Sequence, residues 1–560
     1  NPSNPFQQSV WVTRPPSVAD EREMHVSNEI TRVTGGVIVD LPKDWQLESD
    51  YTWTRNKAVF GSFGLFFDTI PQGITSGAIN PFLDTLANPV DLNYYGGNYL
   101  GTSPSQLDNV ALRVTGPLGH LPAGSPMLSL GLEYREESMR HASYLWNFAN
   151  FPSSNLNRQY LPKSQQVLSA YAEMKIPLIS KANRVPLVHE LDLQLSARTE
   201  RFDVKTGTTY IETPGAAVVD ESVEYSSTNP TIGLRYKPIE QLMFRASYAT
   251  GFLPPDYSQF LAPTLGGTDT RGPSATVNVI DPLRGNELVA TQFISGGNPD
   301  IKPQESTSWS LGVVWTPPFL EGLRANLEWY RLELENVATR PTAQQIVTLA
   351  NQFPNRVQRA AALPGDPYGV GRITLVDFSL LGANRLQTEG FDLSLDYQVP
   401  VMDWGTLRLS ASGTLIRYFE RQASIVAPLQ DVTNQIAYDG PLERKGNFGI
   451  GWSKDAWKVD WTMSYFGSYE QYAVGGVTAY VQAQGSRTIP SQSYHDVVFT
   501  YGWDEDASSS LLSGVTLQFG VNNVFDKVPP LDVFYSSSSY YSPFGDPRLR
   551  EYRLSLSKRF

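Results

Sequence analysis

Residues able to carry covalent or metal chemistry are few and scattered in this chain. The five histidines (His25, His120, His141, His189 and His495) stand singly, with none at the spacing of a metal pair. Cysteine is absent, which removes disulfides, thiolate metal sites, iron–sulfur clusters and thiol nucleophiles together. No phosphate-cradling glycine loop, His-Glu-x-x-His or Gly-x-Ser-x-Gly occurs. Glu333 and Glu335 lie two apart, on one face of a strand, and such a pair could do acid/base work. On a wet wall the same spacing is a solvated face. His189 beside Glu190 reads as a wall or turn residue. The expectation is a protein that is not an enzyme, with no catalytic residue, no metal site and no cofactor.

Aromatic residues suggest a different chemistry. Tyr144, Trp146, Phe148 and Phe151 crowd one long connection, and Phe534, Tyr535, Tyr540, Tyr541 and Phe544 crowd another. Ring faces stack on sugars or planar chelates, so both clusters are candidate ligand contacts. An interfacial girdle, or packing between loops, is the simpler account of them at this stage.

The composition limits what must position these rings. The chain has 560 residues and a formal charge of −12, so no basic surface exists for a nucleic-acid backbone and no such partner is expected. No uncharged apolar run reaches the length of a membrane helix. Strands that hide an apolar face by alternation escape that test. Trp, Tyr and Phe number 12, 28 and 26 while only 18% of residues are charged, a balance suited to a membrane interface.

Alternation of period two recurs from end to end. Leu128, Leu130, Leu132 and Tyr134 oppose Ser129, Gly131, Glu133 and Arg135; Leu191, Leu193 and Leu195 oppose Asp192, Gln194 and Ser196. Phe391, Leu393 and Leu395 oppose Asp392, Ser394 and Asp396; Trp457, Val459 and Trp461 oppose Lys458, Asp460 and Thr462. Each set falls on one side of a pleated strand. In a soluble sandwich the apolar faces would form a core; in a barrel they would meet lipid. Short turns such as 237–240 and 317–322 alternate with long connections at 252–303, 338–368 and 526–547, the rim asymmetry of an outer-membrane barrel.

Eighteen strands are predicted: 28–41, 44–57, 106–116, 126–138, 164–177, 187–203, 223–237, 240–251, 305–316, 322–337, 370–379, 387–399, 405–419, 443–453, 457–469, 491–503, 513–524 and 549–560. A break of phase at Trp329-Tyr330 predicts a bulge or an interfacial aromatic pair. No fixed repeat and no interdomain linker interrupts the pattern. The expected fold is an all-β, transmembrane antiparallel β-barrel forming one domain over 1–560.

The last strand is the sharpest local signal. Tyr552, Leu554, Leu556 and Phe560 share one face, opposite Arg553, Ser555, Ser557 and Arg559. It resembles the terminal strand that outer-membrane barrels present for assembly, with Lys558 standing where an apolar residue is usual.

Longer stretches resemble the barrel of TonB-dependent outer-membrane transporters. Tyr171-Ala172-Glu173-Met174-Lys175-Ile176-Pro177-Leu178 is similar to a strand leading into a periplasmic turn of that family. Asn229-Pro230 through Pro238, then Phe244-Arg245-Ala246-Ser247-Tyr248 and Gly251-Phe252, resembles its mid-barrel hairpin, with Leu253-Pro254-Pro255 replacing Arg-Ala-Pro. Gly297-Asn298-Pro299-Asp300-Ile301-Lys302-Pro303-Gln304-Glu305 resembles the exit from a long external loop, with Gln304 in place of Glu. Arg444-Lys445-Gly446-Asn447 and Val521-Asn522-Asn523-Val524-Phe525-Asp526-Lys527 fit in the same order.

The resemblance implies a bacterial outer-membrane location, outer-membrane lipid as surroundings, and TonB-driven import of a bulky nutrient. The ligand could be a ferric siderophore, cobalamin, an oligosaccharide or a peptide. It also implies a 22-stranded barrel with a plug domain and an energy-coupling box, neither of which is found here. Residues 1–27, with Asn4-Pro5-Phe6, resemble a loop between early barrel strands. The expectation is that the plug and about the first four strands come from the same product or from another chain, and that TonB acts through that plug. The alternatives are a plug-free, substrate-specific porin and a soluble all-β binding protein.

Overall fold

The computed structural model describes residues 24–65, 69–80, 82–84, 87–88, 91–152, 155–207, 210–211, 220–256, 259–260, 264–265, 276–422, 425–435, 440–470, 484–503, 512–532 and 541–559. Residues 4–6, Phe534, Tyr535, Tyr540 and Phe560 therefore lie outside the described residues.

The alternating segments become the wall of one antiparallel sheet. Its strands are β1 (Met24–Leu41), β2 (Trp45–Leu65), β3 (Gly96–Pro117), β4 (Met127–Met139), β5 (Lys163–Ile179) and β6 (Glu190–Gly207). β7 (Asp220–Ile239), β8 (Leu242–Leu253), β9 (Gln304–Trp315), β10 (Leu323–Thr339), β11 (Leu381–Pro400) and β12 (Thr406–Gln422) follow. β13 (Arg444–Lys454), β14 (Trp457–Phe466), β15 (Gln492–Gly502), β16 (Val515–Asn522) and β17 (Glu551–Lys558) complete it. Each strand pairs with the next, in chain order. Among the described residues no pairing joins β17 to β1.

Seventeen of the eighteen predicted strands stand in this wall. The segment predicted at 370–379 is the exception: Ile373–Asp377 is a strand, but it lies in an external loop and pairs in parallel with Glu287–Ser295. Its Ile373 and Val376 are both buried, so it packs in a small core and not against lipid. The break of phase is also elsewhere. β10 and β11 stay in register at Trp329-Tyr330, and the irregularity falls between Leu334 and Ala338, where Asn336 has φ 56°. Tyr330 is an inward aromatic seated over Gly390, where a Cβ would come 2.6 Å from its hydroxyl.

Every tight connection (42–44, 240–241, 401–405 and 455–456) lies on one rim, and the long ones lie on the other. Aromatics mark both levels on the outer face. At the long-loop side the Tyr51 hydroxyl donates to Asp108 (2.7 Å) and that of Tyr134 to Glu136 (3.0 Å). At the short-turn side the Tyr236 hydroxyl donates to the Leu187 carbonyl (2.8 Å) and the Trp452 indole to the Trp404 carbonyl (2.6 Å). Between these girdles Leu130, Leu132, Ile232, Leu311 and Leu393 point outward and are exposed. No helix among the described residues is long and apolar enough to cross a membrane.

Candidate functional site

The inward face of the wall is polar because alternation puts the second set of side chains there. Arg198 on β6 reaches Glu133 on β4 (2.9 Å) and Glu200 on its own strand (2.9 Å), and Asn109 on β3 donates to the same Glu133 (2.8 Å). Ser169 on β5 donates to Glu200 (3.0 Å). Further round, Arg235 donates to Asp192 (2.6 Å), and Arg245 crosses the bare Cα of Gly312 to reach Glu328. Charges opposite one another on neighbouring strands offset each other, so the wall is hydrated without a strong field of one sign. Glu333 and Glu335, considered above as an acid/base pair, lie on the opposite face of β10 from the inward Tyr330 and are tied to Arg331 and Arg385.

Above the outer girdle β2 and β3 continue beyond the membrane, and two more strands join them. Ala142–Asn147 pairs with β3, and Leu156–Tyr160 pairs with Ala142–Asn147. Phe60 pairs with Gly101, Gly101 with Tyr144, and Tyr99 with Trp146. Phe60 stands two-residue steps along β2 from Thr52, which pairs with Asn109 of the polar network, so these rings share the inward face. Tyr144 lies 5.4 Å from Phe60, 6.1 Å from Tyr99 and 4.9 Å from Tyr160, while Trp146 lies 5.7 Å from Tyr99. Burial pushes the Tyr99 and Tyr144 phenols above their ordinary range, so both hydroxyls keep their protons and can donate. The five rings form a shelf at the mouth of the lumen.

Beneath the shelf is a recess of about 230 Å³ lined by Thr54, Asn56, Ser105, Leu107, Glu137 and Met139. The Asn56 Oδ1 there is buried and accepts no hydrogen bond. Lys163 heads β5 on the same face; it is buried, which pushes its ammonium down, while Asp256 opposes the shift. A larger hollow, about 760 Å³ among Leu112, Leu130, Leu132, Ala170, Ala172 and Ala197, opens on the outer face. It fronts lipid and is no part of this site.

The predicted residues divide accordingly. Tyr144 and Trp146 meet on the shelf. Phe148 is 1% exposed, held over Gly97 with its backbone N–H bonded to Asn155 (2.6 Å), and so closes the base of the loop. Tyr541 bridges to Leu531 in the connection between β16 and β17, with no described ring contact to the shelf. Tyr552, Leu554 and Leu556 share the outer face of β17 and are 65–73% exposed. Phe60, Tyr99 and Tyr160 were missed. They are spread over a hundred residues of sequence, and only the register of the strand extensions gathers them.

A family model described as TonB dependent receptor-like, beta-barrel, matches residues 2–524. The chain belongs to the TonB-dependent receptor family. No curated protein matches the sequence. Among solved structures, the ferric-catecholate import receptor Fiu from E. coli K12 aligns at TM-score 0.54 and 14% identity, covering 97% of this chain and 65% of that one. The siderophore receptor PiuA from Acinetobacter baumannii gives 0.55 and 14%, covering 96% and 65%. The copper transporter OprC gives 0.55 and 11%, covering 95% and 65%. At such identities the likeness is one of fold. The chain thus spans 65% of the length of each of these structures.

TonB-dependent receptors are outer-membrane β-barrels that transport and do not catalyse, so the girdled wall described here is an outer-membrane wall. In this TonB-dependent receptor the outward leucines meet hydrocarbon and the ion pairs line the lumen. The soluble all-β alternative is excluded.

Proposed function

We propose that this receptor wall serves TonB-dependent import of a ring-bearing ferric chelate, captured first on the shelf of Phe60, Tyr99, Tyr144, Trp146 and Tyr160. The observation that carries this reading is the position of the shelf: it faces inward, above the outer girdle, at the entrance to a polar lumen. Aromatic faces in that setting hold planar ligand rings while leaving them free to leave downward. The names of Fiu and PiuA support a siderophore over a sugar or peptide.

Among the described residues no further strand pairs with the outer side of β1 or of β17, which supports a wall completed by further strands. Five more would make the twenty-two of plugged outer-membrane transporters. Unpaired backbone in lipid costs several kcal/mol per group, so the edges demand partners. Those strands, and the plug on which TonB pulls, would belong to the same product or to another chain.

The test is uptake of iron-55 as a ferric tris-catecholate by cells expressing the whole receptor. Accumulation should need the proton-motive force and fall at least tenfold in Tyr144→Ala/Trp146→Ala. Uptake that survives collapse of the proton-motive force would instead identify a passive porin.

A further inference from the structure

The outer face of the wall is not uniform. On β4 it carries Leu130 and Leu132, both exposed, but the strands that follow carry short side chains at the same level. Leu132 pairs with Ala170 of β5, Ala170 with Thr199 of β6, and Thr199 with Thr228 of β7. One step lower, Leu130 pairs with Ala172, Ala172 with Ala197, and Ala197 with Pro230. Residues two apart share a face, so these short side chains make one floor. Two hollows of about 760 Å³ and 390 Å³ meet on it at Ala172 and Ala197. With strands about 4.8 Å apart, a floor three strands wide measures about 14 Å across.

The ladder beside this floor is incomplete. β7 and β8 pair from Ile239–Leu242 up to Thr231–Ala249, and the next residue, Pro230, brings no N–H. β7 continues to Asp220 and β8 to Leu253, yet among the described residues no strand pairs with β7 on that side. Rings stand in for backbone there. Phe252 of β8 meets Phe202 of β6 edge-on (5.3 Å), and Phe202 stacks on Tyr225 of β7 (4.8 Å).

Toward the long-loop rim the floor ends in polar groups. Thr228 donates to Thr199 (3.1 Å), so the Thr199 hydroxyl keeps its own hydrogen to donate. Two residues on, Arg201 lies level with the girdle: Tyr134 pairs with Leu168, and Leu168 with Arg201. The Arg201 side chain is 64% exposed and gives one nitrogen to Glu224 (2.7 Å). The rest of its fork is open to a phosphate. Asp203 and the exposed Lys205 follow on the same face.

We propose that this floor binds one lipid of the outer leaflet, a phosphorylated glycolipid carrying several acyl chains. The chains lie side by side on Ala170, Ala172 and Ala197, an ester carbonyl accepts from Thr199, and a phosphate meets Arg201. The floor continues the lipid face of the wall, so lipid is the occupant at hand. A ridge of leucines touches passing chains on one side only, whereas a recess surrounds them and gathers more dispersion contacts for each methylene. A floor three strands wide suits a head with several chains and leaves a two-chain phospholipid partly unsupported. The bound lipid also covers the gap beside Pro230, where bare backbone would be costly. The inference holds whichever ligand the shelf receives.

Native mass spectrometry of the full-length receptor tests this, with hexa-acylated lipid A, dioleoylphosphatidylethanolamine or dioleoylphosphatidylglycerol added in detergent. Lipid A should stay bound at a concentration about tenfold below that needed by either phospholipid. Ala170→Leu/Ala197→Leu fills the floor without adding polarity and should abolish that preference. Arg201→Gln should weaken lipid A about three- to tenfold. Ala411→Leu, at an outward alanine of β12, should change nothing. Equal binding of the three lipids would overturn the proposal. So would lipid A binding that survives the filled floor or Arg201→Gln, or that falls as far in Ala411→Leu. Hydrogen exchange gives a second reading: lipid A added to phosphatidylethanolamine vesicles should slow exchange over 224–229 about fivefold, and should not do so in Ala170→Leu/Ala197→Leu. Exchange there that ignores lipid A would refute the cover over the gap.

Discussion

The ring of Phe60 occupies the space in which a side chain at its cross-strand partner, residue 101, would stand. Glycine there lets the ring lie flat across the strand toward Tyr144, so a residue without a side chain sets the level of the aromatic shelf. Gly101→Val should lift Phe60 off the shelf and weaken binding of a ferric tris-catecholate by about 2- to 10-fold, the worth of an aromatic pair. Titration followed by Trp fluorescence would show it, and unchanged affinity would count against the shelf as the capture surface.

The two faces of the wall should tolerate charge differently. Leu195 points to lipid, while Gln194 points inward and donates to Glu173 (2.8 Å). Leu195→Arg should cost about 2–4 kcal/mol of folding into bilayers, and Gln194→Arg should be nearly neutral. Guanidinium titration of refolding into vesicles reports both, and equal behaviour would reverse the assignment of faces.

Gly390 carries the weight of Tyr330. A Cβ at this position would meet the Tyr330 hydroxyl at 2.6 Å and the Leu415 carbonyl at 2.8 Å. Gly390→Ala should destabilise the barrel by about 1–3 kcal/mol. Gly390→Ala combined with Tyr330→Phe should recover part of that loss in the same titration, because the shortest contact is removed while those to the ring Cζ (2.9 Å) and to the Leu415 carbonyl persist.

Acid should loosen the contact between the connections that follow β8 and β10, where Asp281 accepts from Arg359 and Arg284 reaches Asp366. Burial raises the Asp281 carboxyl, but the Arg359 guanidinium more than offsets this and holds it below the usual range. Glu287 is lowered chiefly by its bond from Arg284, and Asp366 by the Tyr368 N–H and then Arg284. A carboxylate lowered in the folded state stabilises above its ordinary pKa, and that stability is lost as pH falls through the lowered value. These ion pairs should therefore hold the two connections together down to about pH 4 and loosen below it. Pepsin nicking within 276–295 should begin in that lower range, and at higher pH in Asp281→Asn, which lacks the carboxylate at every pH.

Much of the wall was legible because a barrel has a periodicity that sequence cannot hide: one face meets lipid, the other water, and each residue must choose. The same logic misread Tyr330. An inward aromatic looks like a slip of phase unless the glycine beneath it, sixty residues on, is known. It also placed Ile373–Asp377 among the wall strands, because a short apolar strand has the same pattern in a loop core as in a membrane. Of the site, Tyr144 and Trp146 could be read from their crowding. Phe148, crowded alike, turns out to be packing, and Phe60, Tyr99 and Tyr160 carry no local mark. Their meeting depends on register between strands that sequence does not state.

Gln344 presents to Ile280 the donor and acceptor that a neighbouring strand would offer. The strand Thr276–Asp281 thus meets, at Ile280, a side chain that mimics a strand but cannot be extended. Crowded copies on a cell surface would otherwise find, in each exposed margin, a template for stitching themselves into fibres. One glutamine amide closes that margin at Ile280.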